Sequence, residues 1–304
     1  MSDPATDIVF DALRKMESNG AHPRATTASL ARLQATAAAA STTARPLSQP
    51  AETPSAKGPT PRDEFPEQKP SPRLDALFAA NVRTSDIAAP VSPAGSKAEK
   101  LAALRGPVLA CTKCPHLVKS RTQVVFGIGN PDAELMFIGE APGADEDLVG
   151  EPFVGRAGQL LTKMIEAMNF KRSDVYIGNV LKCRPDVPEG EPGNRKPTRP
   201  EMDVCKPYLL QQIDIIQPKV LIALGATAVE GLLGIDKAGI TRMRGTWKEF
   251  HGIPLMPTFH PSFLLRPSSE QLSNKRLVWE DMLAVLERLG HEITAKQRGY
   301  FLTK

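Results

Sequence analysis

The chain has 304 residues and a formal net charge of +4, from 38 Lys and Arg against 34 Asp and Glu, with four cysteines and two tryptophans. Charge so nearly balanced leaves nucleic-acid binding open without announcing it. The absence of any 18-residue apolar run argues against a membrane helix. The acidic N-terminus has no apolar core of the secretory kind, so a cytoplasmic protein is expected, in which cysteines serve as metal ligands or free thiols.

Residues 1–95 read as a largely disordered leader. From 20 to 95 the chain is rich in Ala, Pro, Ser and Thr, and such a segment cannot bury enough apolar surface to offset its ordering entropy. Ten basic and ten acidic residues fall before residue 96, which leaves 28 and 24 for the remainder, so the whole +4 excess lies in residues 96–304. Two islands, 5–18 and 73–83, have amphipathic helical spacing. Each is either a fraying segment or a docking helix for an unidentified protein partner.

Residues 96–304 read as one folded domain. Residues 97–105 suit a helix leading into Cys111-Thr112-Lys113-Cys114. A strand ending at Gly127 and a turn at Asn130-Pro131-Asp132 come next. Residues 135–138 are an unbroken apolar run, as in a strand buried on both faces. Glu140-Ala141-Pro142-Gly143 then turns the chain, an acidic run with Asp145, Glu146, Asp147 and Glu151 follows, and a helix begins near Gly155 with Leu160, Leu161, Met164, Ile165 and Met168 on one face. Residues 174–181 are a third apolar run, followed by a Pro/Gly-rich loop. A helix is expected over 198–217, with Pro200 and Glu201 in its first turn, then a buried strand over 219–225 and a short helix over 227–233. Residues 247–250 and 253–259 flank His251-Gly252 as a hairpin running into His260-Pro261-Ser262. A last helix spans about 269–289, with Leu272, Leu277, Leu283, Leu286 and Leu289 as core candidates.

Strands alternating with helices imply a three-layer α/β/α fold around a mainly parallel four-stranded sheet. Glu140, Asn179, Gly225 and His260 then fall at or just past the C-terminal ends of four strands, where open α/β sheets bind ligands. The Gly-rich turns match neither phosphate-loop spacing, and no Lys follows the glycines. An acidic loop of this kind repels a pyrophosphate but suits stabilisation of developing positive charge. Cys111, Cys114, Cys183 and Cys205 supply the four thiolates of one metal centre. Structural zinc and a [4Fe–4S] cluster both fit the spacing.

These motifs resemble the family 4 uracil-DNA glycosylases. Gly139-Glu140-Ala141-Pro142-Gly143 with Pro152-Phe153-Val154-Gly155 and Ala157-Gly158 is similar to that family's first motif. Asn179-x-x-Lys182-Cys183-Arg184-Pro185 is similar to the segment after its next strand, and His260-Pro261-Ser262-x-Leu264-Leu265-Arg266 to its second active-site motif. The likeness covers about residues 97–290. It departs in the leader and in a longer loop between Cys183 and Cys205. A cross-linking branch carries Gln after the motif-one Glu and a basic insertion with a His, whereas Ala141 follows Glu140 here, which favours turnover. Family 5 lacks the motif-one acid.

The resemblance implies hydrolysis of the N-glycosidic bond of uracil in single- or double-stranded DNA, after base flipping, as the first step of base excision repair. It implies Glu140 as the water-positioning base and His260 as donor to the departing uracil. Asn179 would read O4 and N3–H, Phe153 would stack on the base, and Ala141 with the N–H groups around Gly143 would hold its oxygens. Glu146 would stand near C5, and Leu265 with Arg266 would fill the vacated stack and touch phosphate. The four cysteines would hold a structural [4Fe–4S] cluster, with zinc as the lesser candidate. A monomer is expected. Each residue also has a bland counterpart: a capping His, a turn Asn, a core Phe, a solvated acidic loop. The rival readings are a non-catalytic iron–sulfur or zinc DNA-binding protein and a glycosylase for another deaminated base.

Overall fold

The computed structural model describes residues 95–185, 187 and 193–302; the leader up to residue 94, with the two segments 5–18 and 73–83 expected as short amphipathic islands, lies outside the described residues. Helix α1 (Lys97–Leu109) opens on a capping box, Ser96 with Glu99, and runs one turn beyond the expected 105. Helix α2 (Pro115–Ser120) starts directly after Cys114. Strand β1 (Ile128–Gly129) is only two residues long. Val124, Val125 and Phe126 are buried as expected of a strand but pair as none. Gly129 has φ +135° and packs so closely on β3 that a Cβ would fall 2.7 Å from the Tyr176 Cα, an approach only Gly allows.

Strand β2 (Leu135–Gly139) is buried at every position. The acidic run after it is a short helix, α3 (Ala144–Val149), ended by Gly150 in the left-handed region. Helix α4 (Arg156–Ala167) buries Leu161, Met164 and Ile165 and leads to strand β3 (Tyr176–Asn179). Helix α5 (Arg199–Ile216) begins at the Thr198–Glu201 capping box with Pro200 in its first turn. Strand β4 (Val220–Leu224), helix α6 (Ala226–Leu233) and the short helix α7 (Ile240–Met243) follow. The hairpin strands are β5 (Lys248–Phe250) and β6 (Ile253–Thr258). Helices α8 (Pro261–Leu264), α9 (Gln271–Leu289) and α10 (Ala295–Arg298) complete the described chain.

The sheet order is β1-β3-β2-β4-β6-β5. The four inner strands are parallel, as the alternating sequence implies, while β1 and β5 pair antiparallel at the edges. The sheet therefore has six strands rather than four. The β5 edge is the expected hairpin arm, whereas β1 falls just past the expected strand ending at Gly127, because a two-residue strand carries no measurable period. Along β2, Met136 and Ile138 join one core with α1, α5 and α6. Leu135 and Phe137 join the other with α4 and α9. Period-two burial into two apolar layers reads in sequence as one continuous run. In α9 the core falls on Val278, Trp279, Met282, Val285 and Leu286, with Leu283 also buried, whereas Leu272 is 48% exposed. Leu272 lies in the first turn, ahead of the stretch that meets the sheet.

The parallel register aligns the strand ends that matter. Gly139 pairs with Asn179 and Leu224 with Thr258. Backbone bonds carry the ladder past the strands: Val180 N donates to Gly139 O, Leu181 N to Glu140 O, and Gly225 N to Thr258 O, at 3.0, 3.0 and 2.9 Å.

Candidate active site

Beyond these strand ends lies a cavity of ≈ 310 Å³ lined by Glu140, Ala141, Gly143, Glu146, Phe153, Asn179, His260 and Arg266. Eight of the nine residues expected around the substrate thus come together. Leu265 is the exception: it flanks α8, half-buried and outside the lining, while the neighbouring Phe263 is 38% exposed.

Asn179 forms the floor. It is 2% exposed, and its Oδ1 has no hydrogen-bond partner among the described residues. An orphaned buried acceptor is costly in the empty protein and marks a place for a ligand N–H. The main chain at Asn179 is fixed from behind. The buried Lys182 amine donates to Asn179 O (3.0 Å) and to Gln212 Oε1 (2.6 Å), and Gln212 Nε2 donates to Phe126 O and Tyr176 Oη. Burial pulls the Lys182 amine down to about 8, against the charge of the nearby Cys205. Phe153 closes the floor at φ +54°, in the left-handed region. Gly139 makes room for it, since a Cβ there would lie 2.6 Å from Phe153 Cζ and strike Asn179 Oδ1.

Glu146 has a different task from the one its position in an acidic loop suggested. Its Oε2 accepts from Gly143 N (3.0 Å), and its Oε1 from Val154 N (3.0 Å) and Gly155 N (3.2 Å). The carboxylate ties the two Gly-rich turns together, and the Gly143 N–H expected to face a uracil oxygen is donated to Glu146 instead. The next residue, Asp147, is also no solvated acid. It is buried and accepts from Thr122 N and Gln123 N.

His260 caps α8: Ser262 N donates to its Nδ1 at 3.2 Å, with Ser262 Oγ 2.7 Å away. Nδ1 is therefore an acceptor, and the neutral ring carries its proton on Nε2. Burial holds the imidazole below its usual pKa, against the opposing charges of Glu140 and Glu146, so the neutral form is favoured. Its ring sits 5.6 Å from that of Phe153, tilted by 33°. Below it, Thr258 Oγ1 donates to Asp281 Oδ2 (2.6 Å), and Arg244 Nε to the same oxygen (3.0 Å), which anchors the end of β6.

Five further residues line the cavity: Pro142, Ala157 and Ser262, which belong to the quoted motifs, and Asn194 and Arg195, which escaped the sequence reading altogether. Arg195 grips Glu201 through Nη1 to Oε2 (3.0 Å) and Nη2 to Oε1 (2.6 Å), and His116 Nε2 lies 2.7 Å from Glu201 Oε1. The sequence held one usable signal, a cation just before a capping box. Burial pushes the Glu201 carboxyl up, but the Arg195, Thr198 and His116 hydrogen bonds outweigh it and hold the group at about 2. A depressed carboxylate contributes stability that is complete above its unfolded value of 4.5 and is lost as pH falls through 2. Unfolding free energy measured between pH 5 and 2 should therefore fall less steeply in Glu201→Gln than in the parent protein.

None of the four cysteines is in a disulfide; Cys183 and Cys205 are buried and the other two half-buried. They share one neighbourhood. Burial raises the Cys114, Cys183 and Cys205 thiols, that of Cys205 to about 12, and the charge of Cys111 adds to each. Arg121 Nη1 donates to Cys183 Sγ (2.9 Å) and Lys182 N to Cys205 Sγ (3.2 Å). Among the described residues no group of three or more His, Cys, Asp or Glu converges as ligands of a single ion. Four cysteines in one neighbourhood are a donor set that either a structural zinc or an iron–sulfur cluster would accept.

The family model described as the uracil DNA glycosylase superfamily matches residues 126–283. A type-4 uracil-DNA glycosylase of Thermotoga maritima is 49% identical over 177 residues, which span 58% of this chain and 87% of that protein. One from Archaeoglobus fulgidus is 42% identical over 52% of this chain and 79% of its own length. A type-5 uracil-DNA glycosylase of Pyrobaculum aerophilum reaches 28% over 59% and 87%. With the motif-one acid and the four cysteines in place, the chain belongs to the type-4 branch of the uracil DNA glycosylase superfamily.

Proposed function

We propose that the protein is a monofunctional DNA-repair glycosylase that hydrolyses the N-glycosidic bond of uracil in DNA, leaving an abasic site and free uracil. The observation that carries the reading is the unpartnered Asn179 Oδ1 on the cavity floor, beside Glu140 and His260. Uracil presents an N3–H donor next to the O4 acceptor, and a carboxamide matches both. Cytosine presents the reverse pair and would leave Asn179 facing donor with donor.

The flipped base stacks on Phe153. The His260 Nε2–H donates to uracil O2 as negative charge builds on the departing base, an oxyanion-type role. Glu140 orients water toward C1′ and its charge favours the cationic sugar. Glu146 keeps the two turns in register, a supporting role rather than a methyl-excluding contact. Leu265 and Arg266 stand where the DNA backbone passes. Cys111, Cys114, Cys183 and Cys205 would hold a [4Fe–4S] cluster, which supplies a structural cross-link and takes no part in a hydrolysis that moves no electron. No described helix is long and apolar enough to cross a membrane.

Excision from a single-uracil oligonucleotide in EDTA, followed by alkali cleavage, tests the reading. Cutting at uracil and not at a thymine control is the expected result. No cutting by folded protein would leave a binding protein or a glycosylase for another base. For the cysteine centre, Cys183→Ser is expected to lose visible absorbance and solubility together; an active, stable and colourless parent protein would point to zinc.

A further inference from the structure

Phe153 stands at φ +54°, a conformation that a bulky residue keeps where its surroundings impose it. Three supports impose it here. On the C-terminal side, Val154 N and Gly155 N donate to Glu146 Oε1 at 3.0 and 3.2 Å. Beneath, the Phe153 carbonyl lies against helix α4 at Gly158, where a Cβ would fall 1.8 Å from Phe153 O. On the N-terminal side, Arg172 Nη2 donates to Pro152 O at 2.6 Å. Glu146 and Gly158 belong to the Gly-rich motif and its acidic run. Arg172 lies outside them, on the turn between α4 and β3. Resting on the glycosylase reading above, we propose that Arg172 is a positioning residue for base recognition, which sets the Phe153 ring as a stacking platform before the uracil enters.

The geometry of the guanidinium supports this role. Its Nη1 donates to Thr162 Oγ1 at 3.3 Å, and the Thr162 hydroxyl donates to Gly158 O at 3.1 Å. Arg172 therefore joins the turn before Phe153 to the helix beneath it, and Phe153 is clasped between the two. A planar fork holds two such points in a fixed relation, which a single ammonium does not. Both acceptors are neutral oxygens. Burial pulls the guanidinium below its usual pKa, and the charges of Glu151 and Glu146 oppose it from a distance. A half-buried cation on neutral acceptors is a poor choice for stability alone, whereas the platform depends on it. Phe153 and Asn179 meet over Gly139, where a Cβ would lie 2.6 Å from Phe153 Cζ and 2.4 Å from Asn179 Oδ1. The His260 ring stands 5.6 Å from the Phe153 ring. A tilt of that ring therefore shifts the stacked base relative both to the amide that reads it and to the imidazole that receives its charge.

A double-mutant cycle with Phe153 tests the role. Arg172→Met keeps the aliphatic stem and removes the fork. Its single-turnover uracil excision at saturating protein should fall about tenfold, the loss of a hydrogen bond from a charged donor. Its affinity for an oligonucleotide with a tetrahydrofuran abasic site, which offers no base to stack, should stay within about twofold of the parent. Arg172→Lys, with a donor left for Pro152 O, should lie between the two. In Phe153→Ala the ring is gone, and adding Arg172→Met should then change the rate by less than about twofold. The same loss with and without the ring would show that Arg172 does not act through Phe153, and would overturn the proposal. So would a parental rate in Arg172→Met, or an equal loss of affinity for abasic DNA, which marks a general defect of the fold. Free uracil gives a reading independent of turnover. At a fixed, subsaturating concentration it should raise the melting temperature less in Arg172→Met than in the parent, and equal shifts would count against the proposal as decisively. Failure of the parent to excise uracil at all would instead overturn the glycosylase reading, and this proposal with it.

Discussion

Glu140→Gln is expected to lower single-turnover uracil excision by about 10²–10⁴-fold, the range for loss of a positioned general base. The substitution keeps shape and hydrogen-bonding capacity and removes charge and basicity. Its backbone cannot drift, because Leu181 N donates to Glu140 O at 3.0 Å as a continuation of the sheet ladder. Binding to uracil-containing DNA should persist or tighten slightly, since a carboxylate near the phosphate path is lost. There is a second signature. Glu140 is the first charge that opposes burial in setting the His260 pKa, so its removal should push the imidazole further toward the neutral form. The acid limb of whatever activity remains should then move to lower pH. Turnover within threefold of the parent protein would remove Glu140 from the chemistry.

The parts of the fold legible in the sequence were those with long, repeated signals. The inner strands announced themselves as apolar runs because helices cover both faces. Pro200 and Glu201 marked the first turn of α5, which was expected over 198–217 and runs Arg199–Ile216. The strand-edge convergence of Glu140, Asn179 and His260 followed from alternation alone, and the ladder bonds at Glu140 and Gly225 show how it is enforced. What stayed hidden depends on where a side chain points. Glu146 and Asp147 are neighbours in an acidic run, yet one ties the two Gly-rich turns and the other is buried against Thr122 and Gln123. Composition reads both as solvated. Leu272 has the right type and spacing for a core residue but precedes the packed stretch of α9. Arg195 sits in a Pro/Gly-rich loop, where no periodicity exists to reveal a partner.

The same bonds show why the cysteines and the cavity belong to one unit. Arg121 donates to Cys183 Sγ and Cys111 O, and the next residue, Thr122, donates to Asp147 on the helix that carries Glu146. On the other side Lys182 donates its N–H to Cys205 Sγ and its amine to Asn179 O. The cysteine segments are therefore joined by hydrogen bonds to the cavity on both sides, at the motif-one turns and at Asn179. On the proposed reading, a cluster held there would support the geometry of a reaction in which it takes no chemical part.

Asn179→Ala separates function from stability most sharply. Two hydrogen bonds to the base are lost, each worth about 1–1.5 kcal/mol when neutral and buried, so excision should fall about 10²-fold. Stability should behave in the opposite sense. Asn179 Oδ1 has no partner among the described residues, so the protein carries the desolvation cost of a buried acceptor with no bond in return. Removing it takes away that cost, and the main chain stays in place because Lys182 grips the carbonyl at Asn179 rather than its side chain. The melting temperature of Asn179→Ala is expected to equal or exceed that of the parent while activity collapses, the trade-off of a site kept unsatisfied for its ligand. Saturating free uracil should raise the melting temperature of the parent protein and leave that of the variant unmoved. A variant that melts well below the parent, or one still stabilised by uracil, would show that Asn179 holds the fold rather than the base.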